Sequence, residues 1–202
     1  FAPAGQSTQM IVGADGADDR AILSASQELY QAHALKRVYY SAYSPIPDAS
    51  AALPARAAPL LREHRLYQSD WLLRFYGVAL DDIVPAGQAA MLDLEVDPKL
   101  AWALRNRHLF PVDLNRAPRE MLLRVPGLGV RNVERLLKAR RVKAIRTEDL
   151  ARMRLPLRRL RPFVSVADAT PRATLDRLDL GDLVLPGTAF AAQAAPRQLV
   201  LL

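Results

Sequence analysis

The sequence contains no cysteine, and this absence excludes several kinds of site at once. A disulfide, a cysteine-ligated zinc, a cysteine nucleophile and an iron–sulfur cluster held by this chain alone all need thiols. No apolar run reaches about 18 residues, so no transmembrane helix and no membrane partner are expected. The N-terminus lacks the basic and apolar regions of a secretory signal, which predicts a cytoplasmic protein. Because the first residue is Phe1 and not Met, we expect a fragment or a trimmed chain.

Positive charge is concentrated in one third of the chain, whose 202 residues carry a net charge of +7. Between Lys99 and Pro162 there are 18 basic and 5 acidic residues, a net charge of +13. The rest of the chain has 10 basic and 16 acidic residues, a net charge of −6. Such a segment is the electrostatic footprint expected for binding a polyanion, although an ordinary solvated helical surface is the alternative.

The first 47 residues predict a strand, a helix and a second strand. Residues 9–13 and 37–43 are rich in apolar or aromatic side chains, and residues 21–35 repeat apolar side chains at helical spacing. A helix between two apolar strands favours a parallel βαβ unit. Because two strands leave sheet edges exposed, we expect this unit to need a covering partner or self-association.

The middle of the chain predicts two further helices and no other clear strand. A strong helix spans residues 59–76, with Pro59 in its first turn and Gly77 as its stop. A second helix follows Asp97 as N-cap and Pro98 as first residue, and ends near residue 106. Residues 48–58 and 85–96 are predicted loops, and no periodicity persists after residue 163.

A pair of short helices around a glycine turn lies inside the basic segment. Residues 115–125 predict a helix with Asn115 as N-cap, and residues 131–141 predict another. Between them lies the sequence PGLGV. Glycines at these positions permit tight backbone angles and leave amides free at the start of the second helix, where phosphate binds.

This segment resembles the helix-hairpin-helix family, which binds the sugar-phosphate backbone of nucleic acid. The positions that carry the resemblance are Leu122, Leu123, Val125, Gly127, Leu128, Gly129, Val133, Leu136 and Leu137. The resemblance implies phosphate donors at the backbone amides of Gly127, Gly129, Arg131 and Asn132, with charge added by Arg131, Arg135 and Lys138. The predicted DNA-binding residues are therefore Gly127, Leu128, Gly129, Val130, Arg131, Asn132, Arg135 and Lys138. The alternative is an ordinary αα-hairpin whose glycines only make the turn.

The same resemblance implies a monovalent cation, K⁺ or Na⁺, held by hairpin carbonyls. Here its ligands would be the backbone carbonyls of Leu123, Val125 and Leu128. We expect the nucleic acid to be double-stranded DNA, bound with little sequence specificity because backbone contacts carry no base information.

A second, degenerate hairpin follows without a Gly-x-Gly sequence. Residues 147–153 predict a helix with Thr147 as N-cap, and residues 155–163 predict its partner. This half resembles the companion hairpin that pairs with a true one in compact helical domains. We expect it to pack against the first hairpin, with Arg154, Arg158 and Arg159 serving either as peripheral phosphate contacts or as purely structural residues.

Four stretches extend the resemblance to a bacterial family of radical SAM proteins assigned to DNA modification or repair. They are PAGQSTQMIVGA at 3–14, RVYYSAYSPIP at 37–47, LREHRLYQSDWL at 61–72 and DPKLAW at 97–102. The likeness covers about residues 1–165 and matches the C-terminal half of that family. It implies that the first βαβ unit closes a partial α/β barrel, and that the strand ending at Gly13 lies against the adenine of S-adenosylmethionine. A barrel strand packing its own core is the alternative.

In that family three cysteines upstream hold a [4Fe–4S] cluster, and this chain has none of them. We therefore expect the cluster and S-adenosylmethionine only in a full-length protein, and whether this chain is part of an enzyme stays open. The alternatives are a DNA-binding adaptor that recruits a repair enzyme, such as a protein like uracil-DNA glycosylase, and a helical protein-interaction module.

Other polar residues offer weaker candidates. His33, His64 and His108 have no spacing that joins two of them on one helix face, so a metal site is not expected. The acidic turn of Asp15, Asp18 and Asp19 could bind a cation, but N-capping explains it as well. Alternation would put Tyr39 and Tyr43 on one face of the strand and Tyr40 on the other, with at least one face in the core.

These readings together predict a mainly helical α/β protein. Residues 1–47 would be a barrel fragment, 48–106 a helical connector packed on it, 107–165 the helix-hairpin-helix domain and 166–202 a mostly irregular tail.

Overall fold

The computed structural model describes residues 3–48, 50–86 and 90–171. The fold is mixed α/β with helix predominating, as expected from the sequence. The strands are β1 (Ser7–Val12), β2 (Arg37–Ala42), β3 (Val112–Asp113) and β4 (Val164–Ser165). The helices are α1 (Asp19–Ala32), α2 (Leu60–Tyr76), α3 (Leu80–Ile83), α4 (Pro98–Arg105), α5 (Arg119–Arg124), α6 (Val130–Ala139), α7 (Thr147–Arg152) and α8 (Leu157–Leu160). Single 3₁₀ turns cover Arg107–Leu109 and Arg161–Phe163.

Strands β1 and β2 pair in parallel, in a register that joins Ser7 to Arg37 and Val12 to Ala42, and α1 connects them. Successive side chains of a strand point to opposite faces, so Val38 and Tyr40 are buried while Tyr39 is exposed. Helices α1 and α2 cover the buried face. The first apolar cluster forms there, around Val12, Leu23, Val38, Tyr40, Leu66, Leu72 and Ile83.

The outer edge of β2 is closed by side chains of the helices packed on it. The amide of Val38 donates to Tyr30 Oη at 3.0 Å, and the amide of Tyr40 donates to Tyr67 Oη at 3.0 Å. The amide of Ala42 donates to a carboxylate oxygen of α2 at 2.8 Å. The sequence predicted exposed sheet edges, and this prediction is wrong for the outer edge of β2. Alternate amides along that edge already donate to side chains of α1 and α2.

The helix ends follow the capping signals in part. Asp18 accepts from the amide of Ala21 and begins α1, and Asp97 accepts from the amide of Leu100 and begins α4. Gly77 ends α2 in the left-handed conformation, with φ of 65°. Pro59, however, is the N-cap of α2 and not its first residue, and the short helix α3 was not predicted.

Asn115 is not the N-cap of α5, contrary to the sequence prediction. The helix begins at Arg119 with Pro118 in the capping position. Asn115 instead binds the backbone of a distant segment: Nδ2 donates to the Ile145 carbonyl at 3.2 Å, and Oδ1 accepts from the Ile145 amide at 2.7 Å. Its side chain therefore joins the start of the helical pair to the loop that precedes α7.

Thr147 is likewise the first residue of α7 and not its N-cap, a position that Arg146 occupies. The amide and hydroxyl of Thr147 both donate to Asp168 Oδ1, at 2.9 and 3.2 Å. The hydroxyl is therefore engaged outside the helix and does not cap it.

The basic segment, including α4, folds around a second apolar cluster. Strands β3 and β4 close this part of the chain by pairing in parallel, Val112 with Val164 and Asp113 with Ser165. The sequence did not predict these two-residue strands. The largest buried members of the cluster are Leu100, Leu114, Leu122, Leu123, Leu128, Leu136, Ile145, Leu150 and Phe163. Tyr76 at the end of α2 packs against both clusters.

The described residues contain no helix that is both long enough and apolar enough to cross a bilayer. The predicted tail begins with a bridge between Val166 and Ala169, and its residues 172–202 lie outside the described part of the chain.

Candidate nucleic-acid interface

The first hairpin consists of α5, α6 and the turn between them. Its backbone reverses at Gly127, which has φ of 87°, a left-handed conformation that strains any residue with a Cβ. The Leu128 amide donates to the Val125 carbonyl at 3.1 Å and closes the turn. A Cβ on Gly127 would also lie 3.0 Å from Cγ of Pro156. Glycine is therefore required here by both backbone conformation and close packing.

Gly129 is the N-cap of α6 and leaves the start of that helix uncapped by any side chain. Its φ is −94°, and a Cβ there would lie 3.6 Å from the Tyr76 hydroxyl, which is ordinary contact. Within residues 3–48, 50–86 and 90–171, the amides of Gly127, Gly129, Arg131 and Asn132 donate no hydrogen bond. Free amides at the positive end of a helix are suited to an anion.

Basic side chains continue from this helix end along one face of α6. Arg131, Arg135 and Lys138 are all exposed, and their spacing of four and three residues puts them on the same side of the helix. Arg135 also donates to Asn132 Oδ1 and to the Met153 carbonyl, both at 3.2 Å. This face therefore combines free amides with three cations.

The remaining predicted residues of the hairpin mainly serve packing. Leu128 is 1% exposed and lies in the second cluster, and Val130 is partly buried against the same cluster. Asn132 is half-buried. The side chains of Leu128 and Val130 thus hold the hairpin in place, and any contact of theirs with a ligand would be made by backbone atoms.

The three carbonyls expected to hold a monovalent cation are not equally available. The Val125 carbonyl accepts from the Leu128 amide. The Leu128 carbonyl accepts from the Nζ of Lys99, a residue of α4 that the sequence reading did not select. Leu123 is buried beside them in the core. The carbonyl group of Leu128 therefore already has a cationic partner within the chain.

Lys99 is held in an unusual environment for an ammonium group. Its Nζ lies 4.8 Å from the centre of the Tyr76 ring, and burial lowers the pKa of Lys99 to about 7. A nearby carboxylate would have the opposite effect, and none in the described part of the chain forms an ion pair with it. No local pattern could have revealed this contact, because 29 residues separate Lys99 from Leu128.

The second hairpin consists of α7, α8 and the turn between them, and its arginines differ in role. Arg159 forms an ion pair with the N-cap residue Asp97, and burial, followed by the charge of Arg65, lowers its pKa. Arg159 is thus a structural link between α8 and α4. Arg154 is exposed and has φ of 54° at the turn, while Arg158 is exposed on α8.

Candidates outside the two hairpins have structural partners. Gly13 has φ of 81°, and a Cβ there would lie 2.8 Å from Cβ of Ala58, so close packing already accounts for the glycine. Asp19 is buried and accepts from Arg62 Nε at 2.6 Å and from the Leu92 amide at 2.8 Å. The sequence reading missed this pair because 43 residues separate the partners. Both carboxylate oxygens of Asp19 therefore have partners within the chain, so this residue does not support a cation site at the acidic turn.

The histidines and tyrosines considered from the sequence also offer little to a ligand. His33, His64 and His108 are exposed on separate elements, and the described residues contain no group of three or more histidine, aspartate or glutamate side chains placed to hold a metal ion. Tyr40 and Tyr43 are buried, whereas Tyr39 is 41% exposed beneath Arg37. At most Tyr39 is therefore free to stack on a ligand.

Comparisons of the chain with protein-family models, with curated proteins and with solved structures gave no match.

Proposed function

We propose that this chain binds the sugar-phosphate backbone of double-stranded DNA through the first hairpin, without selecting a base sequence. The observation that carries the proposal is the start of α6, where free backbone amides follow the left-handed Gly127. A helix of ten residues provides a dipole whose positive end is directed at this point. Phosphate is the group of DNA that such amides recognise.

Charge adds a second argument for DNA rather than a small anion. Arg131, Arg135 and Lys138 extend along α6 for about two helical turns, which exceeds the size of one phosphate. Successive phosphates of one strand can meet successive cations on such a face. Binding of this type releases condensed counterions and weakens steeply as salt concentration rises.

The experiment is duplex affinity across a salt series for the full chain and for two charge-matched variants. The first variant is Arg131→Gln with Lys138→Gln, because both side chains are exposed and form no ion pair with a described residue. The control is Lys36→Gln with Arg56→Gln, which removes equal charge from exposed positions outside the basic segment.

A log–log salt slope that shrinks by about 1.8 in the α6 variant alone is expected, since each phosphate contact contributes about 0.9. If the salt slope shrinks equally in the two variants, binding depends on the net charge of the chain and not on α6, and the proposal fails. Wild-type protein that does not bind at low salt would leave the hairpin as a structural turn.

The wider resemblance stays a prediction. A repair or modification enzyme that uses a [4Fe–4S] cluster and S-adenosylmethionine would have to draw its cysteine ligands from outside this chain, because the sequence contains none. Recruitment of a glycosylase-like repair enzyme is a second untested prediction, and neither role is needed for the DNA contact proposed here.

A further inference from the structure

The turn of the first hairpin carries a cation that belongs to the chain itself. The Nζ of Lys99, on α4, donates to the Leu128 carbonyl and lies 4.8 Å from the centre of the Tyr76 ring. An ammonium over an aromatic face is held electrostatically, so two neighbours define its position. In its protonated form, Lys99 therefore brings a positive charge to the backbone of the turn.

A metal ion does not fit beside this ammonium. The Leu128 carbonyl is one of the three oxygens that would hold K⁺ or Na⁺, and a monovalent ion bound there would lie next to a like charge. Among the described residues, no carboxylate forms an ion pair with Lys99 that could separate the two charges. Asp82 lies near this cavity but pairs with Arg124 at 3.2 Å, and so does not compensate the Lys99 charge directly.

We propose that the Lys99 ammonium takes the place of a monovalent cation at the hairpin, so that phosphate binding there needs no metal ion. The inference rests on the proposed function, and it assigns Lys99 as a positioning residue that acts through the backbone. This role explains why the Lys99 ammonium donates to a peptide carbonyl and not to a carboxylate.

The effect passes through a single peptide group. The carbonyl that accepts from Lys99 and the amide of Gly129 belong to the same peptide unit, which joins Leu128 to Gly129. A hydrogen bond from a cation to the carbonyl polarises the peptide and strengthens its N–H as a donor. Because the Gly129 amide is one of the expected phosphate donors, Lys99 would raise phosphate affinity without touching the ligand.

The experiment compares duplex affinity in the chlorides of K⁺, Na⁺ and tetramethylammonium at one ionic strength. Tetramethylammonium is too large to be ligated by the carbonyls, so it serves as the condition without a binding cation. Wild-type protein, Lys99→Met and the control Lys36→Met are measured in each salt. The methionine keeps the length of the side chain and removes the charge, and circular dichroism verifies that each variant is folded.

Wild-type affinity is expected to change less than about twofold among the three salts. Lys99→Met is expected to bind about tenfold more weakly in tetramethylammonium, the effect of one charge-assisted hydrogen bond, and to recover in K⁺ or Na⁺ as the ion takes the vacated carbonyl. Lys36→Met is expected to follow the wild type.

Wild-type binding that is stronger in K⁺ or Na⁺ than in tetramethylammonium would overturn the inference. A loss in Lys99→Met that no metal ion restores would assign Lys99 a structural role, and no loss would remove it from the site. These outcomes leave the proposed function intact, whereas absence of wild-type binding in every salt would remove both.

Discussion

The two hairpins of the basic segment have similar turns but differ in the backbone amides that they leave free. Each reverses the chain through one residue with positive φ, Gly127 at 87° in the first and Arg154 at 54° in the second. A buried leucine follows in each case, Leu128 or Leu155. The shape of the turn is therefore shared, although only one of the two turns contains glycine.

The difference lies in the next residue along the chain. Gly129 begins α6 with a free amide, whereas Pro156 begins α8 and has no amide hydrogen to donate. Helix α8 is also only four residues long, against ten in α6, and so provides a weaker dipole. The comparison teaches that the geometry of the turn and the supply of free amides at the following helix are separable properties of this fold.

The two turns also fit against each other, and this contact assigns them distinct roles. Pro156 of the second hairpin fills the space where Gly127 has no side chain. Arg135 of α6 donates to the Met153 carbonyl at the turn of the second hairpin. The second hairpin thus supports the first, leaving the amides at the start of α6 free.

The largest expected effect comes from breaking this contact with Gly127→Val. The β-branched side chain would be forced into the left-handed conformation and against Pro156, so we expect the free energy of unfolding to fall by about 3 kcal/mol. Chemical denaturation measures the change. The control is Gly129→Ala, whose φ of −94° and ordinary contact with Tyr76 should keep the loss to about 1 kcal/mol or less.

Equal destabilisation by the two glycine substitutions would contradict the asymmetry between them. It would mean that the start of α6 is packed as tightly as the turn, which would leave no room for a phosphate at Gly129.

The sequence predicted two helices on either side of the Gly127–Gly129 turn from local signals. The apolar spacing of α6 and the two glycines of the turn lie within a few residues of each other, and so do the caps at Asp97 and Gly77. The mainly helical α/β class follows from similar short-range patterns. Boundaries were less accurate where a proline stands at the helix start, as Pro59 and Pro118 do.

The features that sequence reasoning missed all depend on partners far apart in the chain. Strands β3 and β4 are two residues each and lie on opposite sides of both hairpins, so neither has a detectable alternation of its own. Asn115 has the residue type of an N-cap, but its side chain binds Ile145. The contact of Lys99 with Leu128 is likewise set by the packing of α4 and not by any motif.

A smaller effect, of opposite sign, is expected when the second turn is given the residue of the first. Arg154→Gly removes the left-handed strain of a residue with a Cβ, worth about 1–2 kcal/mol, and adds the entropy that glycine loses on folding, about 0.5–1 kcal/mol. We expect a net gain of about 0.5 kcal/mol in the free energy of unfolding. Arg152→Gly, at the last residue of α7, is the control and should destabilise by about 0.5–1 kcal/mol. A loss of stability in Arg154→Gly would mean that the Arg154 side chain makes contacts that outweigh its strain.

The smallest expected effect is a difference between the hairpins in how pH changes the free energy of unfolding. The Lys143 ammonium, followed by the Arg146 amide, lowers the pKa of Asp149 at the start of α7, whereas the first turn of α6 has no acidic residue. A lowered carboxyl pKa stabilises the fold above the unfolded value of about 3.9, and this contribution is lost as pH falls below it. Wild-type protein should therefore exceed Asp149→Asn in stability at neutral pH, and the gap should close in acid.

Glu148→Gln removes an exposed carboxylate that pairs with Arg152 on the same helix, and should give little gap at any pH. A gap for Asp149→Asn that persists below pH of about 3 would mean that Asp149 acts through the shape of its hydrogen bonds and not through its charge.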